Sequence, residues 1–227
     1  MRFEDFLQGL GRTPWRRRPA KPIPRPPPLA EFRPARDRRP ITITRLFQRL
    51  NAFLSDATVV VADVGDALFG AADLLIHQRT DFLGAAYYAS MGFGVPAGIG
   101  AQLANRRRRP LILVGDGAFQ MTGMELATAV RYRLNPIVVV LNNHGYGTER
   151  QIHDGPYNDV AVWHYHQVPA ILGAGRSFVV ATEGDLQRAL AAAQQCTQCY
   201  CLLEVMLDPR DRSPALQRLG QRLGKKI

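Results

Sequence analysis

Two unbroken apolar runs, Leu111-Ile112-Leu113-Val114 and Ile137-Val138-Val139-Val140-Leu141, constrain this chain more than any other feature in it. Both are too short for a buried helix and rich in β-branched residues, so each reads as a strand buried on both faces. Strands of that kind belong to parallel sheets covered by helices on either side. Each run closes on a turn, Gly115-Asp116-Gly117 after the first and Asn142-Asn143-His144-Gly145-Tyr146 after the second. Ligands of parallel α/β sheets gather at the carboxyl ends of strands. There Asp116 and Asn143, 27 residues apart, offer the hard oxygen atoms that Mg²⁺ takes together with phosphate. The plain structural alternative is a strand–turn–helix unit in which Asp-Gly and Asn-Asn serve only as turn residues.

The rest of the chain past residue 40 supports an α/β class with a parallel sheet and helices on both faces. Helices are expected over Thr44 to Leu54, over the glycine-rich Ser90 to Leu103, near residues 122–133 and over Glu183 to Gln195, with a helical turn around Glu149. Strands are expected at Thr58 to Ala62, at both apolar runs, at Ser177 to Ala181 and at Cys201 to Leu207. Thr122-Gly123-Met124-Glu125 has the form of a capping box, which would open a helix just past the glycine turn, its free N–H groups facing any bound phosphate. Gly117 carries no side chain to obstruct such an approach. Arg106-Arg107-Arg108-Arg109 predicts a solvated loop before the Leu111 strand, and Leu216 to Leu223 a short basic tail. Gly92-Phe93-Gly94-Val95-Pro96-Ala97 passes for a dinucleotide fingerprint, but that motif follows a strand directly, and residues 81–88 make a poor one. Its small residues suit close helix packing instead.

Composition shifts sharply at the amino end. The first forty residues hold 11 Lys/Arg, 4 Asp/Glu and 9 of the 16 prolines. Trp15-Arg16-Arg17-Arg18-Pro19 and Lys21 to Pro28 cannot form a helix or a sheet ladder, and a basic Pro/Arg-rich linker is the expectation. A nucleic-acid arm is the less favoured alternative, and a polyproline ligand a further one. Cys196, Cys199 and Cys201 form C-x-x-C-x-C without a distant second pair, which argues against a four-ligand zinc site and for free buried thiols near a helix–strand junction. The spacing of His153, His164 and His166 fits no metal set. No apolar run nears the ~20 residues of a membrane helix, and no apolar signal core follows Met1. A cytoplasmic protein without membrane partners is expected.

Gly115-Asp116-Gly117 with a downstream Asn142-Asn143, each after a buried strand, resembles the cofactor motif of thiamine diphosphate enzymes. From roughly Ile41 to Asp208 the chain is similar to the diphosphate-binding domain of 2-oxo-acid decarboxylases of the pyruvate and indolepyruvate kind. The resemblance implies that Asp116, Asn143 and the Gly145 carbonyl hold Mg²⁺. It places Asp66, in Asp63-Val64-Gly65-Asp66, beside the diphosphate, with Gly115, Gly117, Ala118 and Tyr146 around it. Ala89 and Met91, in Ala89-Ser90-Met91-Gly92-Phe93, would support the aminopyrimidine and the bend of the cofactor. Glu149, six residues after Asn143, matches the acidic residue that such decarboxylases place near the reacting carbon.

The same resemblance divides the chain. Residues 1–40 would be the last helix of a middle domain, Phe3 to Leu10, plus the linker. Residues 41–208 would be the diphosphate domain and 209–227 a tail. No counterpart of the pyrimidine-binding domain is expected within the chain, so its activity on a 2-oxo acid would need that domain from a partner, in an oligomer. The alternative is a truncated, non-catalytic cofactor-binding or interaction module with a basic arm.

Overall fold

A computed structural model describes residues 2–14, 37–76 and 81–223. The polyproline reading of Lys21 to Pro28 and the arginine cluster at Arg16 to Arg18 lie outside those residues. The described elements run α1 (Phe3–Arg12), α2 (Ile43–Phe53), β1 (Thr58–Ala62), α3 (Asp66–Ala71), β2 (Phe82–Gly84) and α4 (Gly94–Ala104). Next come β3 (Arg109–Gly115), α5 (Asp116–Thr122), α6 (Leu126–Arg131), β4 (Ile137–Asn142) and α7 (Val168–Ile171). The chain closes with β5 (Arg176–Val180), α8 (Glu183–Gln195), β6 (Cys201–Met206) and α9 (Pro214–Leu223). Among the described residues no helix is long and apolar enough to cross a membrane.

Six strands form one parallel sheet in the order β2-β1-β3-β4-β6-β5. Side chains alternate across it, and both faces are covered. Val60, Leu111, Leu113, Val139 and Leu203 meet α2, α3 and α8 on one face. Val61, Ile112, Val114, Val138 and Leu202 meet α4, α5 and α6 on the other. That double burial is why the strands read as continuous apolar runs rather than as alternating ones. On the α4 face a side chain at Gly98 would collide with Ile112, so the small residues of the glycine-rich segment do serve close packing.

Local chemistry sets the element boundaries. Thr182 caps α8 by accepting the Asp185 N–H at 3.1 Å, while the Asp185 carboxylate accepts the Thr182 N–H at 2.9 Å. Both partners sit on the sequence where a capping box requires them. Glu183 behind that cap is buried and takes a two-pronged ion pair from Arg45 of α2, at 3.0 and 2.7 Å.

Four expectations change. No capping box forms at Thr122, whose hydroxyl instead donates to the Gly92 carbonyl at 2.8 Å. The helix opens earlier, at Asp116, and is broken by a 3-10 turn over Gly123–Glu125 before α6. Helix α4 starts at Gly94 rather than Ser90, because Gly92 takes a left-handed φ of +85° and the loop before α4 is held from below. Arg109 is no solvated loop residue: it begins β3, and its guanidinium donates to the carbonyls of Asn135, Ala193 and Cys196 at 2.7–2.8 Å. The supposed tail contains α9, which docks on α3 with Leu216 buried and Arg218 gripping the Asp73 carboxylate at 2.7 and 2.9 Å.

Candidate functional site

The strand order fixes where a site can form. The chain leaves β1 toward β2 on one side, whereas it leaves β3 toward β4 on the other. Beyond the carboxyl ends of β1 and β3 the outgoing segments diverge and leave a crevice, the usual ligand position of an open parallel sheet. A cavity of about 280 Å³ occupies it. Its walls come from the turn after β1 (Val64, Gly65, Asp66), the turn after β3 (Gly115 to Ala118) and the loop after β4 (Asn143, Gly145 to Glu149). Met91 and Met121 complete it.

Asp116 lies at its centre, only 2% exposed. One carboxylate oxygen accepts the Gly117 N–H at 2.8 Å and the other the Gly145 N–H at 3.1 Å. Burial pushes its pKa up to about 6, although these N–H groups pull the other way. A carboxylate held this way favours a cation beside it, since an opposite charge restores the ionised form. Asn143 lines the same cavity, and the Gly145 carbonyl accepts the Gly147 N–H at 3.0 Å with one lone pair.

The two asparagines part company. Asn142 ends β4 and is buried, its amide donating to Glu204 Oε1 on β6 at 2.8 Å. The other oxygen of Glu204 accepts the His166 N–H at 3.0 Å and meets its Nδ1 at 2.5 Å. Alternation along β4 puts Asn142 on the face of Val138 and Val140, beside Glu204, and leaves Asn143, past the end of the strand, to the cavity.

The remaining polar groups fit a cofactor with oxygen atoms. Asp66 Oδ2 accepts the Ser213 N–H at 2.8 Å, while buried Oδ1 has no hydrogen-bond partner. Thr148 Oγ1, also buried, has none either. Buried oxygens without partners are costly; the Thr148 hydroxyl can donate to a ligand oxygen, whereas Asp66 Oδ1, an acceptor, needs a donor or a cation from the bound group. A side chain at Gly117 would run into the Tyr146 ring, so the backbone there lies open only as glycine. Glu149 opens a 3-10 turn at the mouth and is exposed.

Every residue singled out from the sequence therefore lines this one cavity except Ala89. That residue lies in the exposed loop before α4, in a left-handed conformation at φ +52°. Sequence reasoning missed two contributors. Asp63, fully buried at the end of β1, accepts the N–H groups of Val64, Gly92 and Gly94 at 2.7–3.1 Å and so latches the Met91 loop to the sheet. Burial raises its pKa against those three bonds. Ser213, just before α9, holds Asp66 from a segment that gave no sequence signal of a role.

Residues 63–205 match the family described as "Thiamine pyrophosphate enzyme, C-terminal TPP binding domain". An alpha-keto-acid decarboxylase of Mycolicibacterium paratuberculosis is 38% identical over 213 residues, which cover 92% of this chain and 36% of that protein. One of Mycobacterium tuberculosis is 40% identical over 194 residues, covering 84% and 34%. Among solved structures, the thiamine diphosphate-dependent 4-hydroxybenzoylformate decarboxylase of Rhodococcus jostii RHA1 superposes with a TM-score of 0.70 at 25% identity. That match covers 83% of this chain and 36% of the other. The chain thus spans little more than a third of the length of the curated relatives it matches.

Proposed function

The chain belongs to the thiamine pyrophosphate enzyme family through its C-terminal TPP binding domain, and on that premise we propose that it is the diphosphate- and Mg²⁺-binding half of a 2-oxo-acid decarboxylase. A pyrimidine-binding domain supplied by a partner chain in an oligomer completes the site. The observation that carries this reading is the Asp116 carboxylate, buried in the cavity on two backbone N–H groups with its pKa raised to about 6.

In this reading Asp116, Asn143 and the Gly145 carbonyl hold the metal. Gly115, Gly117 and Ala118 leave room for the diphosphate, and Asp66 and Tyr146 border it. Met91, backed by the Asp63 latch, supports the cofactor from below, and Ala89 meets its ring from the exposed loop. Thiamine diphosphate, when bound, supplies the electron sink that lets carbon dioxide leave a 2-oxo acid. This chain's part is to orient the cofactor, keep its charge neutralised and manage protons. In this reading Glu149, exposed at the mouth, hands a proton to the reacting carbon. The alpha-keto-acid decarboxylase names of the relatives support a 2-oxo acid as the substrate class.

The test mixes the chain with a pyrimidine-binding partner domain and follows aldehyde formation from a 2-oxo acid. Activity is expected only in the mixture, and Glu149→Gln is expected to cut kcat at least tenfold while leaving cofactor affinity within twofold. Vigorous decarboxylation by the chain alone would refute the shared site. Unchanged turnover in Glu149→Gln would refute the role of that residue.

A further inference from the structure

We propose that Cys196 and Cys199 form a peroxide-reactive dithiol, a modification site at the opposite end of the sheet from the cofactor cavity. Their sulfur atoms lie 3.3 Å apart, where α8 ends and the chain turns toward β6. All three thiols of the chain are free. Cys196 is 9% exposed, and Cys199, half-buried, reaches solvent beside it. The third thiol, Cys201, is fully buried in β6. β6 runs from this cluster toward the cavity end, a separation of about 17 Å at ~3.3 Å per residue.

The surroundings favour a thiolate over a metal ion. The Arg109 guanidinium is anchored on the Ala193 and Cys196 carbonyls, which holds a permanent positive charge against the sulfurs. Burial alone would raise the Cys196 pKa, but hydrogen bonding from Cys199 and Cys201, aided by the charge of Arg176, brings it net below the ordinary thiol value. Burial and the neighbouring Cys196 push Cys199 the other way, so of the two sulfurs Cys196 is the one that gives up its proton more readily. Two guanidinium groups repel a cation, and among the described residues no group of His, Cys, Asp and Glu is arranged to hold one. Hydroperoxides oxidise cysteines in electropositive surroundings that they can reach; Cys196 is buried, and the half-buried Cys199 beside it is the side from which a small hydroperoxide approaches.

The chemistry balances with a hydroperoxide as oxidant. The Cys196 thiolate attacks one peroxide oxygen, the O–O bond breaks, and the alcohol or water leaves after taking up a proton. The resulting sulfenic acid is attacked by the Cys199 sulfur, an S–S bond forms and water departs. Two thiols lose two electrons and two protons, and the hydroperoxide is reduced to alcohol and water. Cys201 takes no part. The ring closed by this bond spans four residues, so the unfolded chain is little constrained and the melting temperature is expected to move little.

The experiment treats the reduced full chain with stoichiometric hydrogen peroxide, counts thiols after denaturation and sequences the tryptic peptide 189–210 by mass spectrometry. The thiol count should fall from three to one. The peptide should lose two hydrogens, lack backbone fragments between residues 196 and 199, and carry the alkylating label on Cys201 alone. Cys199→Ser, altered at a partly exposed site, should stop at a sulfenic acid on Cys196 that dimedone traps. Cys201→Ala should still form the bond. Three surviving thiols, a disulfide that includes Cys201, or a two-thiol loss in Cys199→Ser would each overturn the proposal.

Discussion

Replacing Asp116 by Asn should stabilise the metal-free domain at neutral and alkaline pH, and the size of the effect follows from the geometry. The carboxyl is buried, and its pKa of about 6 lies roughly two units above the ordinary 3.8. At about 1.36 kcal/mol per unit, ionising it in the folded state costs about 3 kcal/mol more than in the unfolded chain. The folded pKa is the higher one, so the folded state binds the proton more tightly. The contribution of this one group is therefore greatest below pH 3.8, falls as the pH rises toward 6, and levels off above that. Asn stays neutral, but its single oxygen accepts from only one of the Gly117 and Gly145 N–H groups and its NH2 faces the other, a loss of about 1 kcal/mol at every pH. The variant should match the wild type within about 1 kcal/mol near pH 4 and exceed it by about 2 kcal/mol at pH 8. For a chain of this length that is a melting-temperature gain on the order of 4–8 °C. Asp63 and Asp66 also have raised pKa values from burial, but they are present in both proteins and cancel in the difference. Thermal unfolding from pH 4 to 8 measures the gap. Adding Mg²⁺ with thiamine diphosphate at pH 8 should raise the wild type alone. Parallel pH profiles for the two proteins, or a wild type more stable than the variant at pH 8 without metal, would refute the electrostatic argument.

Gly117→Ala places a methyl group against the Tyr146 ring, so calorimetry should show at least a tenfold loss of thiamine diphosphate affinity with the circular dichroism spectrum unchanged. Glu183→Ala strips the buried partner from Arg45 and should lower the stability read from urea unfolding by about 3 kcal/mol, the lower end for breaking a buried pair. Deleting residues 1–36, while keeping the Arg39 carbonyl that accepts the Glu183 N–H at 2.9 Å, should leave the melting temperature and cofactor binding unchanged. A salt-sensitive affinity for RNA or DNA that vanishes with the deletion, measured by anisotropy, would replace the linker reading with a nucleic-acid arm.

Where local chemistry and tertiary packing agree, the sequence was a sufficient guide. β1 and α8 fall where expected because five β-branched or small residues span one and Thr182 with Asp185 caps the other. Asp116 and Asn143 were legible because a parallel sheet leaves its strand ends for ligands, whereas Asp66, Met91, Tyr146 and Glu149 were reached only through the resemblance to thiamine diphosphate enzymes. The failures share a cause: a side chain was claimed by a distant partner. The hydroxyl of Thr122 goes to Gly92, thirty residues away, and no local rule anticipates that bond. Arg109 looks like one of four equivalent arginines until the α8 carboxyl end arrives to claim it. Ser213 and Leu216 lie in a basic, weakly patterned stretch, and only the facing surface of α3 gives them something to bind. Asp63 was read as part of a motif, whereas its three N–H partners come from its own turn and from a loop some thirty residues on.

The strand order also dictates how the molecule must be assembled. β5 precedes β6 in the chain but touches no other strand, since β6 lies between it and β4. Until residues 201–206 arrive, β4 presents an open edge lined with apolar side chains and β5 has nothing to pair with. Such edges recruit strands from other molecules, and pairings between sequence-distant strands form slowly. A chain interrupted between residues 180 and 200 would therefore be sticky rather than merely incomplete. The last strand is the one that seals the sheet.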